Sequence, residues 1–371
     1  MNGAQVLMSS ASAAGIDVCF SNPGTTELAM IEALDKNKTI RPVLSLFEGV
    51  CSGAADGFGR MLGRPAMTLL HLGPGFANAI ANLHNARRAH SPILNIIGDH
   101  ATWHVDYDPP LASDIASLAQ PVSDWFAYAS SADDCTTKIN EGLEVCATAP
   151  GKISTLVVPT DVQEAKSEIS DGIQPNDFQP NWKFSGKKVE QLAKRLSDTN
   201  GEVIILLGTK ALTERGQNAA HRVAVKLNAK IYAETFPARW DRGAHISVPE
   251  RFPYFPEIGL EVLKNAKTII LVGVKAPVAY FGVTGVPSEL FPEGALYELA
   301  SIAEDAEGAI VALAEVIGAT NIKTSSDWEP PKQPDFKRPL DVQSCGEMVA
   351  YLLPENSIAM VEGATSTPPF Y

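Results

Sequence analysis

Short apolar runs alternate with stretches of helical periodicity over the first 165 residues. Val18-Cys19-Phe20, Val43-Leu44-Ser45-Leu46-Phe47, Ala66-Met67-Thr68-Leu69-Leu70 and Ile93-Leu94-Asn95-Ile96-Ile97 are each followed by turn residues. Runs this short, apolar at successive positions, predict strands buried on both faces of a parallel sheet. The segments 27–35 and 75–89 have helical spacing, and Thr155-Leu156-Val157-Val158-Pro159-Thr160-Asp161 supplies a last strand. Alternating β and α elements imply a doubly wound α/β domain over residues 1–165, with ligands at the carboxyl ends of the strands.

Residues 166–184 are polar and contain proline, which reads as a linker. A second doubly wound unit follows at 185–322, with strands predicted at Val203-Ile204-Ile205-Leu206-Leu207, Lys230-Ile231-Tyr232-Ala233 and Thr268-Ile269-Ile270-Leu271-Val272. Residues 323–339 form another Pro- and Lys-bearing linker. Residues 340–371 predict one helix near 344–353 and one strand at 357–361. A single helix and strand bury no core of their own, so the pattern implies the truncated start of a third domain.

Composition narrows the function classes. Apolar residues make up 45% and charged residues 20%, ordinary for a globular protein. The net charge of −13 without an offsetting basic stripe argues against nucleic-acid partners. No apolar run approaches the roughly 18 residues that signal a membrane span, and the first residues lack the basic and apolar regions of a signal peptide. The five cysteines are scattered without CxxC spacing, which fits free thiols in a reducing cytoplasm rather than zinc or disulfides.

One titratable residue stands out. Glu48 follows the run 43–47 and precedes the small-residue stretch Gly53-Ala54-Ala55-Asp56-Gly57-Phe58-Gly59. A carboxylate between a hydrophobic strand and a tightly packed helix is poorly hydrated, and a hydrogen-bonding partner there can hold a proton where chemistry needs it. Its bland alternative is a helix-cap or surface carboxylate. His71, after the strand 66–70, can shuttle protons near neutral pH, or be a hydrogen-bonded structural histidine. Ser21 precedes Asn22-Pro23-Gly24, a turn that Ser and Asn favour in any case. His100, His104 and Asp106 cluster as if to bind a metal, with His100 and His104 at i, i+4 spacing, but Asp108-Pro109-Pro110 makes this a loop, so lining an entrance or lying on the surface are the stronger alternatives. The Gly73-Pro74-Gly75 string lacks both the GxGxxG pattern and a Walker lysine, so it is no phosphate cradle.

The strings Ser21-Asn22-Pro23-Gly24-Thr25-Thr26-Glu27-Leu28, Glu48, Ala54-Ala55-Asp56-Gly57, Leu70-His71-Leu72-Gly73-Pro74-Gly75 and Pro92-Ile93-Leu94-Asn95-Ile96-Ile97-Gly98 occur in order. Together they resemble the pyrimidine-binding domain of thiamine diphosphate enzymes, in particular acetolactate synthase large subunits and benzoylformate decarboxylase. The resemblance implies that Glu48 bonds the cofactor's pyrimidine nitrogen and promotes its imino tautomer. It implies that Ser21 meets the substrate carboxylate and that His71 moves protons. It places Pro23, Gly24, Gly73, Pro74, Gly75 and Asn78 around the cofactor.

The implied activity is that of a thiamine diphosphate-dependent 2-oxo acid decarboxylase or carboligase, working as a homodimer or homotetramer. The family's Gly-Asp-Gly motif, which holds Mg²⁺ and the diphosphate, occurs nowhere in the chain, so those ligands are expected in a missing domain. The isolated chain is then expected to be inactive. Acetolactate synthases bind FAD in the middle domain, but no convincing FAD signature is present. The stretch 273–282 also lacks the second active-site histidine of benzoylformate decarboxylase. Two other classes remain open: a non-catalytic homologue or one half of a split enzyme, and a nucleotide-dependent oxidoreductase, against which the absence of GxGxxG counts.

Overall fold

A computed structural model describes residues 1–169, 182–198, 200–324 and 329–363. Most of the first linker, the middle of the second, and residues 364–371 lie outside the described residues. Among the described residues two all-parallel sheets form, each flanked by helices.

The first sheet contains β1 (Val18–Asn22), β2 (Arg41–Leu44), β3 (Ala66–Leu70), β4 (Ile93–Asp99), β5 (Trp125–Tyr128) and β6 (Ile153–Pro159). Their spatial order is β2-β1-β3-β4-β6-β5. Around it lie α1 (Gly3–Ala13), α2 (Leu28–Lys36), α3 (Glu48–Leu62), α4 (Leu72–Ala89), α5 (Ile115–Ala119), α6 (Asp134–Ala147) and α7 (Thr160–Glu164). Strands β3, β4 and β6 are buried along their whole length, as continuous apolar runs require when helices cover both faces. One cluster packs α1, α2 and α6 against the sheet, and a second packs α3, α4 and α5 on the other face. The polar residues inside these strands bond one another: Thr68 Oγ1 donates to Asn95 Oδ1 (2.8 Å), and Asn95 Nδ2 donates to Thr155 Oγ1 (3.2 Å).

The second sheet contains β7 (Glu202–Leu207), β8 (Lys230–Ala233), β9 (Glu250–Arg251), β10 (Ala266–Val272) and β11 (Leu296–Ala300), in the order β11-β10-β7-β8-β9. Its helices are α8 (Gly186–Ser197), α9 (Glu214–Leu227), α10 (Pro256–Leu263) and α11 (Ala306–Val316). The two units touch where Arg239 Nη1 donates to the Met61 carbonyl at 2.9 Å. No described helix is long and apolar enough to cross a membrane.

Two local expectations are corrected. The strand expected at 43–47 stops at Leu44, and Leu46 is 94% exposed. β2 is an edge strand, and the chain must leave it to begin α3, so the apolar run turns outward instead of continuing the ladder. The strand expected at 357–361 does not form, and Ile358 and Met360 are exposed. No described strand lies beside it, and unpaired backbone groups gain nothing from extension. The preceding helix forms as α12 (Val342–Leu352), capped by Asp341, whose side chain accepts from the Ser344 N–H.

Glu234, just past β8, accepts from the Thr209 N–H (2.8 Å) and hydroxyl (3.2 Å). Burial pushes its carboxyl up despite these bonds. A raised carboxyl holds its proton more tightly folded than unfolded. Its stabilising contribution is therefore complete below the unfolded value and is lost as pH rises through the folded one. Glu234→Gln keeps the acceptor and stays neutral, so it should raise Tm by a few degrees at about pH 8 and leave it unchanged at about pH 4. Thermal scans of both proteins at the two pH values check this, and equal shifts at both would contradict it.

Candidate active site

From β1 the chain runs outward to β2, then crosses back over β1 to β3. The loops leaving β1 and β3 therefore stand side by side at the carboxyl edge, at the switch point where α/β sheets receive ligands in a crevice. The β1 loop brings Pro23 to Glu27, α3 brings Glu48, and the start of α4 brings His71 to Asn78.

Glu48 is the first residue of α3 and is 8% exposed. Asn78, in the second turn of α4, donates its Nδ2 to Glu48 Oε2 at 2.9 Å. The other oxygen faces Gly75, where an added Cβ would stand 3.1 Å from Oε1. Asn82, one turn beyond Asn78, donates to the Gly49 carbonyl at 2.6 Å, and Ser52 donates to the Ala79 carbonyl at 3.0 Å. The small-residue stretch thus lets α3 and α4 close on one another with backbone acceptors satisfied by side chains. One oxygen of the buried carboxylate is fixed by Asn78, and the other lies against the side-chain-free face of Gly75.

A second buried carboxylate, to which the sequence reading assigned no role, lies alongside. Glu27 is 0% exposed. Its Oε2 accepts from the Gly24 N–H (2.7 Å) and bonds His71 Nδ1 (2.8 Å), while Oε1 accepts from the Thr26 hydroxyl (2.7 Å). Three donors compensate a charge that would otherwise be costly to bury. With Nδ1 donating to Glu27, the lone pair of neutral His71 sits on Nε2, and the ring is 26% exposed. The available signal was Glu27 three residues after Gly24, the spacing at which a first-turn carboxylate reaches back to the capping residue's N–H. An added Cβ at Gly24 would collide with the His71 ring, so glycine is what lets the two loops meet. Asp99, at the end of β4, is pushed up by burial; the His100 N–H and ring oppose this, and Glu27 adds a smaller repulsion.

The remaining sequence-derived residues fall less uniformly. Gly73-Pro74-Gly75 is the first turn of α4 rather than a free turn, and His71 is the residue that caps it. Leu72 takes φ +51° while fully enclosed, a strained conformation held by the packing around it. Gly73 faces Ser113 of the loop before α5, not the carboxylates. Ser21 is 6% exposed within β1, and its carbonyl accepts from the Ser45 N–H at 2.8 Å. The hydroxyls nearer the crevice are those of Thr25, which is exposed, and Thr26, 3.4 Å from His71 Nδ1. His100 Nε2 is buried without a partner, and His104 packs edge-on to His100 with Trp103 and Tyr107 beside it. Among the described residues no group of three or more His, Cys, Asp or Glu is arranged to hold a metal ion. Burial raises the Cys51 thiol, with Glu48 adding to the effect, which marks it as a packing residue rather than a nucleophile.

Comparison with known proteins identifies the family. The family described as "Thiamine pyrophosphate enzyme, N-terminal TPP binding domain" matches residues 1–120, which include Glu27, Glu48, His71 and Asn78. The acetolactate synthase large subunit-like protein IlvX of Mycobacterium tuberculosis is 37% identical over 365 residues, covering 98% of this chain and 69% of its own length. The chain belongs to the thiamine diphosphate enzyme family. Benzoylformate decarboxylase of Pseudomonas aeruginosa is 27% identical over 290 residues, covering 76% of this chain and 53% of that protein. Among solved structures, the thiamine diphosphate-dependent 4-hydroxybenzoylformate decarboxylase of Rhodococcus jostii RHA1 superposes with a TM-score of 0.77 at 22% identity. It covers 96% of this chain and 70% of the other, and so shares the fold. For a thiamine diphosphate enzyme the crevice has the right chemistry. The pyrimidine ring needs a poorly hydrated carboxylate with an oxygen to spare, and Glu48 between Asn78 and the side-chain-free Gly75 is such a group.

Proposed function

We propose that these residues form the pyrimidine-binding and middle domains of a thiamine diphosphate-dependent 2-oxo acid decarboxylase or carboligase of acetolactate synthase type. The domains span residues 1–165 and 185–322, and residues 340–371 begin a diphosphate-binding domain. The observation that carries the reading is the buried Glu48 carboxylate, with Oε2 held by Asn78 and Oε1 facing the gap at Gly75.

Bound thiamine diphosphate supplies the electron sink for loss of CO₂ from a 2-oxo acid. The chain's own part is positioning and proton handling. Glu48 would hold the pyrimidine nitrogen and share a proton with it in a site with few competing waters. Pro23, Gly24, Gly75 and Asn78 would form the wall of that site. His71, oriented by Glu27, exchanges a proton with the substrate through Nε2. The substrate carboxylate is met by a hydroxyl of the β1 loop, that of Ser21 or of the more exposed Thr25, since the Thr26 hydroxyl donates to Glu27.

Leu46, Phe47 and Val50 are exposed immediately beside Glu48, an apolar surface that suits cover by a second subunit. The working unit is accordingly a homodimer or homotetramer in the cytoplasm. The diphosphate and Mg²⁺ ligands come from outside the 371 residues, since no Gly-Asp-Gly occurs in them.

Calorimetric titration with thiamine diphosphate and Mg²⁺ tests this. The 371 residues alone should bind more weakly than about 10⁻⁶ M, and a chain or partner supplying the diphosphate ligands should bring binding into that range. Micromolar binding by these residues alone would overturn the placement of the diphosphate ligands.

A further inference from the structure

A small cavity lies between the two domains, far along α3 from Glu48. Arg60, His90 and Gly151 line it from the first domain, Trp182 from the end of the linker, and Thr209 and Lys210 from the second domain. The space open to water centres is about 30 Å³, room for about two waters or one compact oxyanion and too little for a nucleoside.

Its charges do not balance. Arg60 is paired with Asp56, through Nε and Nη2 at 2.7 Å each. Arg239 is paired with Asp241 at 3.0 Å. Lys210 has no carboxylate partner among the described residues; its ammonium sits 4.5 Å from the Trp182 ring centroid. Burial and then the nearby Arg239 hold Lys210 below the usual lysine range. His90 is held low by burial and then by Lys275; Asp124 opposes this, and Lys210 and Arg88 add to it. Glu234, the acid bonded to Thr209, is pushed by burial towards its neutral form. A half-buried ammonium facing further cations is destabilising unless it loses its proton or gains an anion.

We propose that this cleft binds a phosphate-type oxyanion between Lys210 and Arg60, fastening the middle domain to the pyrimidine domain. An ammonium meets a tetrahedral oxyanion as a point charge, and the guanidinium edge not engaged by Asp56 offers further donors. The site shares no residue with the Glu48 and His71 crevice, so it stands or falls independently of the proposed catalysis.

Inorganic phosphate is titrated into the full chain at constant ionic strength, with chloride as the reference, by calorimetry and by thermal unfolding. ADP is run in parallel to separate free phosphate from a nucleotide's phosphate. Phosphate is expected to bind in the millimolar range and raise Tm, whereas ADP, too large for the cavity, does neither. Lys210→Met keeps the aliphatic stem over Trp182 and should weaken phosphate binding at least about tenfold, while Lys210→Arg should stay within about threefold of wild type. No phosphate response in the wild type would overturn the proposal. So would equal binding by Lys210→Met, or a response to ADP without one to phosphate.

Discussion

Replacing Glu48 with Gln should lower kcat for 2-oxo acid decarboxylation by about 10²–10⁴-fold in the assembled, cofactor-saturated enzyme, with little change in Tm. The side chain keeps its size, and its amide oxygen can still accept from Asn78 Nδ2, now at 2.9 Å from Oε2. Lost is the ionisable oxygen facing Gly75, to which the proposed function gives the proton shared with the pyrimidine ring. Because packing is preserved, the loss should appear in turnover at saturating cofactor rather than in expression or melting. Unchanged turnover under those conditions would remove the basis of the functional reading. Asn78→Ala leaves the carboxylate but frees its orientation, so its effect should be smaller, about tenfold.

Replacing Glu27 with Ala should cost about 2–4 kcal/mol of stability to urea unfolding, an effect as large as opening a core cavity. The carboxylate is fully enclosed and receives three donors, from Gly24, Thr26 and His71. Truncation strands the Gly24 N–H and removes the group that orients His71. Glu27→Gln should recover much of the stability, because an amide oxygen still serves one donor. It should not restore turnover fully, because a neutral amide is a weaker acceptor for His71 Nδ1 than a carboxylate. A loss below about 1 kcal/mol for Glu27→Ala would show that the crevice closes over the gap, and that Glu27 does not position His71.

The alternating pattern was enough to imply two doubly wound units, because strands covered on both faces must be apolar at every position. Runs such as 66–70 and 93–97 have no other stable placement. The same logic failed at 43–47, where equally apolar residues lie on an edge strand and an exposed turn. Local hydrophobicity reports that a surface is to be covered, without saying whether the same chain covers it. The strand expected at 357–361 failed for a related reason: pairing is a property of the neighbour as much as of the segment.

By itself, the sequence determined the order of elements and the candidate carboxylate, since the residues around Glu48 and their spacing are local. It also marked His71 as a candidate proton carrier, whereas Asn78 read from the sequence equally as a packing residue inside a helix. Only the tertiary structure decided which groups meet. The crossover from β2 back to β3 brings the loops after β1 and β3 together, so that Glu27 reaches His71 across 44 positions of chain and Asn78 reaches Glu48 across 30. It likewise decided that Ser21 is enclosed within its strand and that Lys210 lines a cavity with residues of the first domain, with no carboxylate partner among the described residues. Burial and hydrogen bonding between distant segments are set by where the sheet order places them, and that order is a long-range property no local pattern contains.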